Sequence, residues 1–402
     1  MAILQRLTIA ALVVSACSMT TSVESKSVDV RTSLATKTAY WDQGAQHGHS
    51  YAKKLSEDYQ LLQIQQVSRH GERFPTKGSM NDIIAFIAKL QTNYSDAVPA
   101  WIKTYTLPYN LTVEGELAPA GIKDLQGLGK RTRLAIQSDA VPENFSADKF
   151  VLQHTYKSRT KNSAKSTFFG NSDQVEYIEH PQDSDLLLRF YDQCPKYVRD
   201  IDEGKNATVQ VDLYKQTKQM AKNIESLRSA LKLPKSAALT ADDVDAAFSA
   251  CGFELALYGI KDKWCSLLSK ELVKSIEFQE DLESFYGQGA GFKINYEIAS
   301  VLLKDIVKTM TDFVAGSTQI EKRGFRTSEL APFGANIDFR LYEKKSNSAK
   351  QSAAKEYYVQ VLVNEQVAKI PGCDEVLCKL SKVQELWSYY LNDYDFDAEC
   401  KI

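Results

Sequence analysis

Histidine is scarce in this chain of 402 residues: there are 5, His47, His49, His70, His154 and His180, and none follows. Acid, base or metal chemistry in the C-terminal half must therefore proceed without imidazole. Charge of one sign is lacking as well, because 49 Lys and Arg stand against 51 Asp and Glu and leave a net charge of −2. That balance excludes a polyanion-binding surface spread over the whole molecule, and nucleic acid with it, so affinity for a phosphorylated ligand must come from a local cluster of cations. Beyond the first residues no apolar run approaches the roughly 18 to 20 residues that span a bilayer. Paired C-x-x-C elements are missing and no His lies near the later cysteines, which leaves disulfides ahead of a zinc site. Gly287-Gln288-Gly289-Ala290-Gly291 departs from the dinucleotide G-x-G-x-x-G pattern and follows Phe285-Tyr286, so it reads as a turn at a helix end. His47-Gly48-His49 has metal-like spacing but no Cys or carboxylate cluster beside it, and reads as an exposed loop. No metal and no cofactor is expected, and no internal repeat is evident.

The bulk composition, 44% hydrophobic and 25% charged, suits a globular protein with one large core or two moderate ones. Residues 1–25 read as a signal peptide: Arg6 supplies the positive region, Leu7 to Ala16 a short apolar run, and small residues follow. Val14-Ser15-Ala16-Cys17 offers the alternative of a bacterial lipoprotein cleavage site. Asp397-Ala398-Glu399-Cys400-Lys401-Ile402 carries neither an anchor tail nor a retrieval tetrapeptide, so the expectation is a protein of the secretory pathway, secreted or held in the lumen of the endoplasmic reticulum or lysosome. Acceptor sequons at Asn93, Asn110, Asn144 and Asn206 agree with that route. Without Cys17, six cysteines remain, Cys194, Cys251, Cys265, Cys373, Cys378 and Cys400. Cys251 with Cys265 and Cys373 with Cys378 would close short loops and leave Cys194 with Cys400, although six cysteines permit fifteen connectivities.

The chemistry concentrates in Arg69-His70-Gly71-Glu72-Arg73-Phe74-Pro75, directly after the strand-like run Leu61 to Val67. One imidazole between two guanidinium groups is suited to phosphate. A neutral histidine can attack phosphorus, while arginines hold its oxygens in bidentate fashion and neutralise the charge that builds up during transfer. Gly71 allows close backbone approach to an anion. The bland alternative is an exposed basic turn with a hydrogen-bonded His. A second cluster, His154-Thr155-Tyr156-Lys157-Ser158-Arg159-Thr160, follows another strand-like run, Lys149 to Thr155. A strand ending there would carry Lys157 and Arg159 to the rim that holds His70. His154 itself reads as a satisfied, partly buried side chain, with approach to the phosphate as the alternative.

Further strands are expected at Ile337 to Tyr342 and Tyr357 to Val363, and helices at Ala120 to Ser138, Val209 to Leu231, Ser266 to Ser275 and Glu297 to Phe313. Strands at both ends and a mainly helical middle imply an α/β core interrupted by a helical cap. Glu343 to Lys355, rich in Lys, Ser and Ala, reads as an exposed hairpin connection, and the aromatic stretch Trp387-Ser388-Tyr389-Tyr390 as a helix docked on the core.

From about residue 40 to its end the chain resembles the branch 2 histidine acid phosphatases, in particular the multiple inositol polyphosphate phosphatases. The resemblance rests on the first motif, on Lys157 to Gly170, on Cys251-Gly252-Phe253-Glu254-Leu255-Ala256 continuing to Trp264-Cys265-Ser266-Leu267, on Asp281 to Asn295, and on Phe325-Arg326 through Ala331-Pro332-Phe333-Gly334-Ala335-Asn336. It implies a histidine-phosphatase core sheet with flanking helices (about 40–95, 145–185 and 295–402) and a helical cap (about 96–144 and 186–294). It implies His70 as the nucleophile that becomes phosphohistidine, Arg69, Arg73 and Arg159 as ligands of the scissile phosphate, and Lys77 and Lys157 as contacts to neighbouring phosphates of inositol hexakisphosphate or lower inositol phosphates, with no metal in the chemistry.

One family feature is missing. A histidine followed by an acidic residue, directly or after one small residue, stands in the family on a core strand before the segment matching Phe325 to Asn336 and protonates the leaving alkoxide. Here no His follows His180, and Asp312-Phe313-Val314-Ala315-Gly316-Ser317 runs straight into Thr318-Gln319-Ile320-Glu321-Lys322-Arg323. The proton donor is therefore unassigned, with Glu72 and His154 nearest in sequence. A general acid contributes about 10²- to 10⁴-fold, so slow turnover is expected, or a chain that only binds polyphosphates. A generic secreted acid phosphatase is the alternative with another substrate.

Overall fold

The computed structural model describes residues 30–40, 55, 58–136, 151–167, 177–315, 333–345 and 355–402. The signal peptide, Cys17, His47-Gly48-His49, Asn144, Phe168-Phe169-Gly170, the stretch from Gly316 to Pro332 and most of the Glu343 to Lys355 connection lie outside the described residues.

Strand β1 (Tyr59–Ser68) leads into the first motif and pairs antiparallel with β4 (Asn336–Lys344) from Tyr59↔Lys344 to Ser68↔Asn336. β4 pairs with β5 (Glu356–Val363), which turns into β6 (Gln366–Ala368) and also pairs with β7 (Leu377–Lys379), every pairing antiparallel. β2 (Leu152–Thr155) and β3 (Tyr177–His180) form a separate parallel pair. The four strand-like runs thus all form strands, but among the described residues they divide between two sheets: β1 is paired only by β4, and β2 only by β3. The two sheets meet beyond their strand ends, where the Gly71 N–H donates to Ser163 Oγ at 3.2 Å.

Among the described residues the α-helices of seven residues or more are α1 (Lys77–Asn93), α2 (Pro119–Ile136), α3 (Ser158–Thr167), α4 (Val209–Lys215), α5 (Lys218–Ala230), α6 (Ala241–Tyr258), α7 (Lys270–Gly287), α8 (Ser300–Val314) and α9 (Leu380–Leu386). The helix expected over Val209 to Leu231 is two, because the Thr217 side chain accepts from Met220 N and caps a new start. The helix expected to end at Ser275 begins at Lys270 under a Ser269 cap and runs on to Gly287.

Two apolar clusters organise these elements. One packs α1, α5, α6 and α7 around Phe86, Leu227, Phe248, Trp264 and Ile276. The other lies between the sheet and helices α8 and α9, with Val67, Leu341, Val359 and Val361 facing Leu302, Ile306, Met310, Val383 and Trp387. At about 25 cal/mol per Å² each fully buried Phe or Trp contributes a few kcal/mol, so Trp387, 2% exposed, anchors the aromatic tail on the core. Disulfides join Cys251 to Cys265, Cys373 to Cys378 and Cys194 to Cys400. The last closes a span of 206 residues, worth about 5 kcal/mol on a chain-entropy account. No helix among the described residues is long and apolar enough to cross a membrane.

Candidate active site

The loop after β1 is fixed on both flanks by its own backbone. The Arg69 N–H donates to the Ala335 carbonyl at 2.8 Å, and the Gly334 N–H donates to the His70 carbonyl at 2.9 Å. On the other side the start of α2 comes so close that a Cβ on Gly121 would lie 2.4 Å from Glu72 N and O, and one on Gly71 would lie 2.7 Å from Gly121 O. Glycine is required at both places by this backbone approach. Gly71 therefore serves first to pack against a helix, a use the phosphate reading of the motif did not include.

His70 is buried, with Nδ1 2.8 Å from the Gly71 carbonyl oxygen and the ring centroid 6.0 Å from that of Phe333. A proton on Nδ1 completes that bond and leaves the Nε2 lone pair available. Burial and then the charge of Arg69 press the imidazole well below its ordinary value of 6.5, with the Gly71 bond opposing them and Arg73 and Arg159 adding to the depression. That depression favours the neutral ring, the form a nucleophile needs.

Arg69 donates from Nη1 to the Thr36 carbonyl at 2.8 Å and lays its guanidinium over Phe333, 4.7 Å from the ring centroid. Arg73 donates to its neighbour Phe74 O at 3.0 Å. Arg159 stands in the first turn of α3, its Nη1 3.6 Å from where a Cβ on Gly115 would be. All three guanidinium charges act on the His70 ring, so residues of two motifs far apart in the chain lie near one imidazole. Lys77 is exposed at the first residue of α1, and Lys157 holds its ammonium 4.4 Å over the Tyr156 ring.

The sequence profile of the histidine phosphatase superfamily (branch 2) matches residues 60–323. The chain belongs to that family. Multiple inositol polyphosphate phosphatase 1 of Gallus gallus is 27% identical over 405 residues, covering 88% of this chain and 87% of that protein. Among solved structures, the phytase from D. castellii superposes with a TM-score of 0.69 at 18% identity, over 87% of this chain and 84% of that one. The multiple inositol polyphosphate phosphatase of Bifidobacterium longum, in complex with inositol hexasulfate, superposes with a TM-score of 0.66 at 14% identity, over 90% of this chain and 98% of that one. The last two show the fold.

In this histidine phosphatase both residues that the sequence offered as proton donors are buried. Glu72 is fully buried and accepts from Tyr40 N at 3.1 Å; burial, then the nearby Asp124 carboxylate, raise it from 4.5 to about 8. His154 is fully buried with Nδ1 2.7 Å from the Thr155 carbonyl, and burial lowers its titration. An exposed carboxylate beside the start of α3 is one the sequence did not signal. Glu116 accepts from Ser158 Oγ at 2.7 and 2.8 Å, next to Arg159. Arg189, which the sequence did not mark either, pairs with Asp192 at 2.5 Å and holds its guanidinium 5.4 Å from the Tyr156 ring that Lys157 covers. Thirty-odd residues separate it from the motif, and no local pattern marks it.

Proposed function

We propose that this chain hydrolyses phosphomonoesters of inositol polyphosphates, inositol hexakisphosphate among them, through a phosphohistidine on His70. The observation that carries the reading is a neutral, buried imidazole with Nδ1 tied to Gly71 O, set among the charges of Arg69, Arg73 and Arg159. Nε2 attacks phosphorus as the ester P–O bond breaks, and the arginines hold the non-bridging oxygens and take up the developing charge. The departing alkoxide takes a proton from solvent water, and the water consumed in the next step returns one. Water then attacks phosphorus, the P–N bond breaks, and inorganic phosphate leaves with His70 restored. Lys77 and Lys157 would meet neighbouring phosphates of a crowded ring, supported by the polyphosphate named for the chicken and Bifidobacterium relatives. The core carries this chemistry under a cap drawn from about 96–144 and 186–294. The three disulfides and the sequons at Asn93, Asn110 and Asn206, all exposed, support maturation in the secretory pathway.

A second reading, a weak or purely binding member of the family, is favoured by the absence of any His after His180. Release of inorganic phosphate from inositol hexakisphosphate separates the two. Turnover is expected for the wild type and none for His70→Ala, since no phosphoenzyme forms without the imidazole. Equal rates for both proteins would remove His70 from the chemistry.

A further inference from the structure

The hairpin joining β5 to β6 is built against its backbone preference. Its two turn residues, Asn364 and Glu365, both lie in the left-handed region, with φ of 49° and 66°. Two-residue turns of this hand favour Asn-Gly, because a Cβ at the second position is a steric penalty. Here that position carries a glutamate, and its carboxylate is fully engaged. Arg131 donates from Nε to both oxygens at 3.1 and 2.8 Å and from Nη2 to Oε1 at 2.7 Å, and the Tyr40 hydroxyl donates to Oε1 at 2.8 Å.

Tyr40 then connects this carboxylate to both sides of the nucleophile. Its hydroxyl oxygen accepts from Asn336 Nδ2 at 2.9 Å, and its backbone N–H donates to Glu72 Oε1 at 3.1 Å. Asn336 is locked to the same hairpin, donating from N to Asn364 Oδ1 at 3.0 Å and accepting from Asn364 N at 2.8 Å. The backbone just before it, Gly334 and Ala335, is the surface on which Arg69 and His70 are hydrogen-bonded. Hydrogen bonds joined by short covalent links therefore lead from Glu365 to the Glu72 carboxyl and to the peptide units on either side of the imidazole.

We propose that Glu365 is a positioning residue for the His70 reaction: acting through Arg131 and the Tyr40 hydroxyl, it fixes the backbone against which the nucleophile loop lies and so sets the line along which Nε2 meets phosphorus. The inference rests on the functional reading above. It accounts for the strained turn, since glycine would relax the backbone and remove the carboxylate together.

Those two consequences of glycine supply the test. Turnover of p-nitrophenyl phosphate and melting temperature are measured for Glu365→Gln, Glu365→Asp, Glu365→Gly, Tyr40→Phe and the double variant Tyr40→Phe/Glu365→Gln. Glu365→Gln and Tyr40→Phe are each expected to lower kcat by about ten- to a hundredfold with KM within about threefold, since a displacement well under 1 Å acts on attack more than on anion binding. The double variant should lose no more than the worse single one, as residues acting in one chain do. Glu365→Asp should recover part of the rate. Glu365→Gly should keep or raise the melting temperature while kcat falls as in Glu365→Gln. Wild-type kcat in Glu365→Gln and Glu365→Gly, or activity losses that track melting temperature across the series, would overturn the proposal. A second readout needs no turnover: with 5 histidines in the chain, the His70 ring resonances are assigned by comparison with His70→Ala. Their titration midpoint should rise toward the ordinary value in Tyr40→Phe, which breaks the network without changing its charge, and an unmoved midpoint there would overturn the proposal. A wild type that releases no phosphate would refute the functional reading, and the titration would still decide this one.

Discussion

Gly121→Ala puts a single methyl group against the nucleophile loop. The added Cβ would lie 2.4 Å from Glu72 N and O and 2.8 Å from the Gly71 carbonyl carbon, against 3.4 Å at the start of ordinary contact. The difference, 3.4 − 2.4, means that the loop or the start of α2 must yield by about 1 Å, and the opposing atoms are backbone, so no rotamer change absorbs it. Two effects on stability oppose one another. Alanine in a helix gains up to about 1 kcal/mol over glycine, while overpacking costs about 1–3 kcal/mol, leaving a net loss of about 0–2 kcal/mol and a fall of a few degrees in melting temperature. The effect on rate is larger: displacing a reacting group by about 1 Å costs on the order of 10²-fold, or about 2.7 kcal/mol of barrier. Gly78→Ala is the control, since a Cβ there meets nothing within 4 Å. Steady-state hydrolysis of p-nitrophenyl phosphate and thermal melting of the three proteins give the comparison. If Gly121→Ala kept the wild-type kcat, the contact between α2 and the loop would not govern the placement of His70.

Arg159→Lys should lose most of the rate, because an ammonium cannot reproduce the planar two-point contact with phosphate oxygens; unaltered kcat/KM in this variant would take the α3 arm out of the clamp. Glu72→Gln should flatten the dependence of stability on pH. Glu72 titrates near 8 in the folded chain against an ordinary 4.5, so the folded state holds the extra proton. Its contribution is complete below about pH 4.5 and is lost as pH rises through about 8. The amide keeps an acceptor for Tyr40 N–H and has no proton to lose, so Glu72→Gln should melt above the wild type at pH 8 and close to it at pH 4. Parallel curves for the two proteins between these limits would show that Glu72 is already ionised in the fold.

What could be read in the sequence follows from how local each signal is. The nucleophile motif is contiguous, and β1 before it is marked by its apolar positions, so both were legible; so was the arm with Arg159, because a strand end and a helix start are adjacent in the chain. Helix α6 was not. Ala246, Ala247, Phe248, Ala250, Cys251 and Phe253 are all buried, so the helix is covered on more than one face and shows no period to recognise. The division of the strands between two sheets could not be read either, since pairing partners are set by packing at long range. The Glu365 network is the extreme case. Arg131 lies 234 residues from Glu365 and Tyr40 lies 325 away, while the two-residue turn, lacking glycine, withholds its usual mark.

The link between Cys194 and Cys400 has a meaning beyond the stability of the fold. It makes the helical middle, the strands after it and the tail a covalent ring, with the nucleophile segment attached as an arm outside it. A protease that cuts once anywhere between the two cysteines opens the ring without releasing either piece, so the nicked molecule keeps its mass under oxidising conditions and separates into fragments only after reduction. A cut between Arg159 and Cys194 parts the whole arm from the ring. By covalent connectivity alone, the segment that carries His70, Arg69, Arg73 and Arg159 is thus the one a single cleavage can detach.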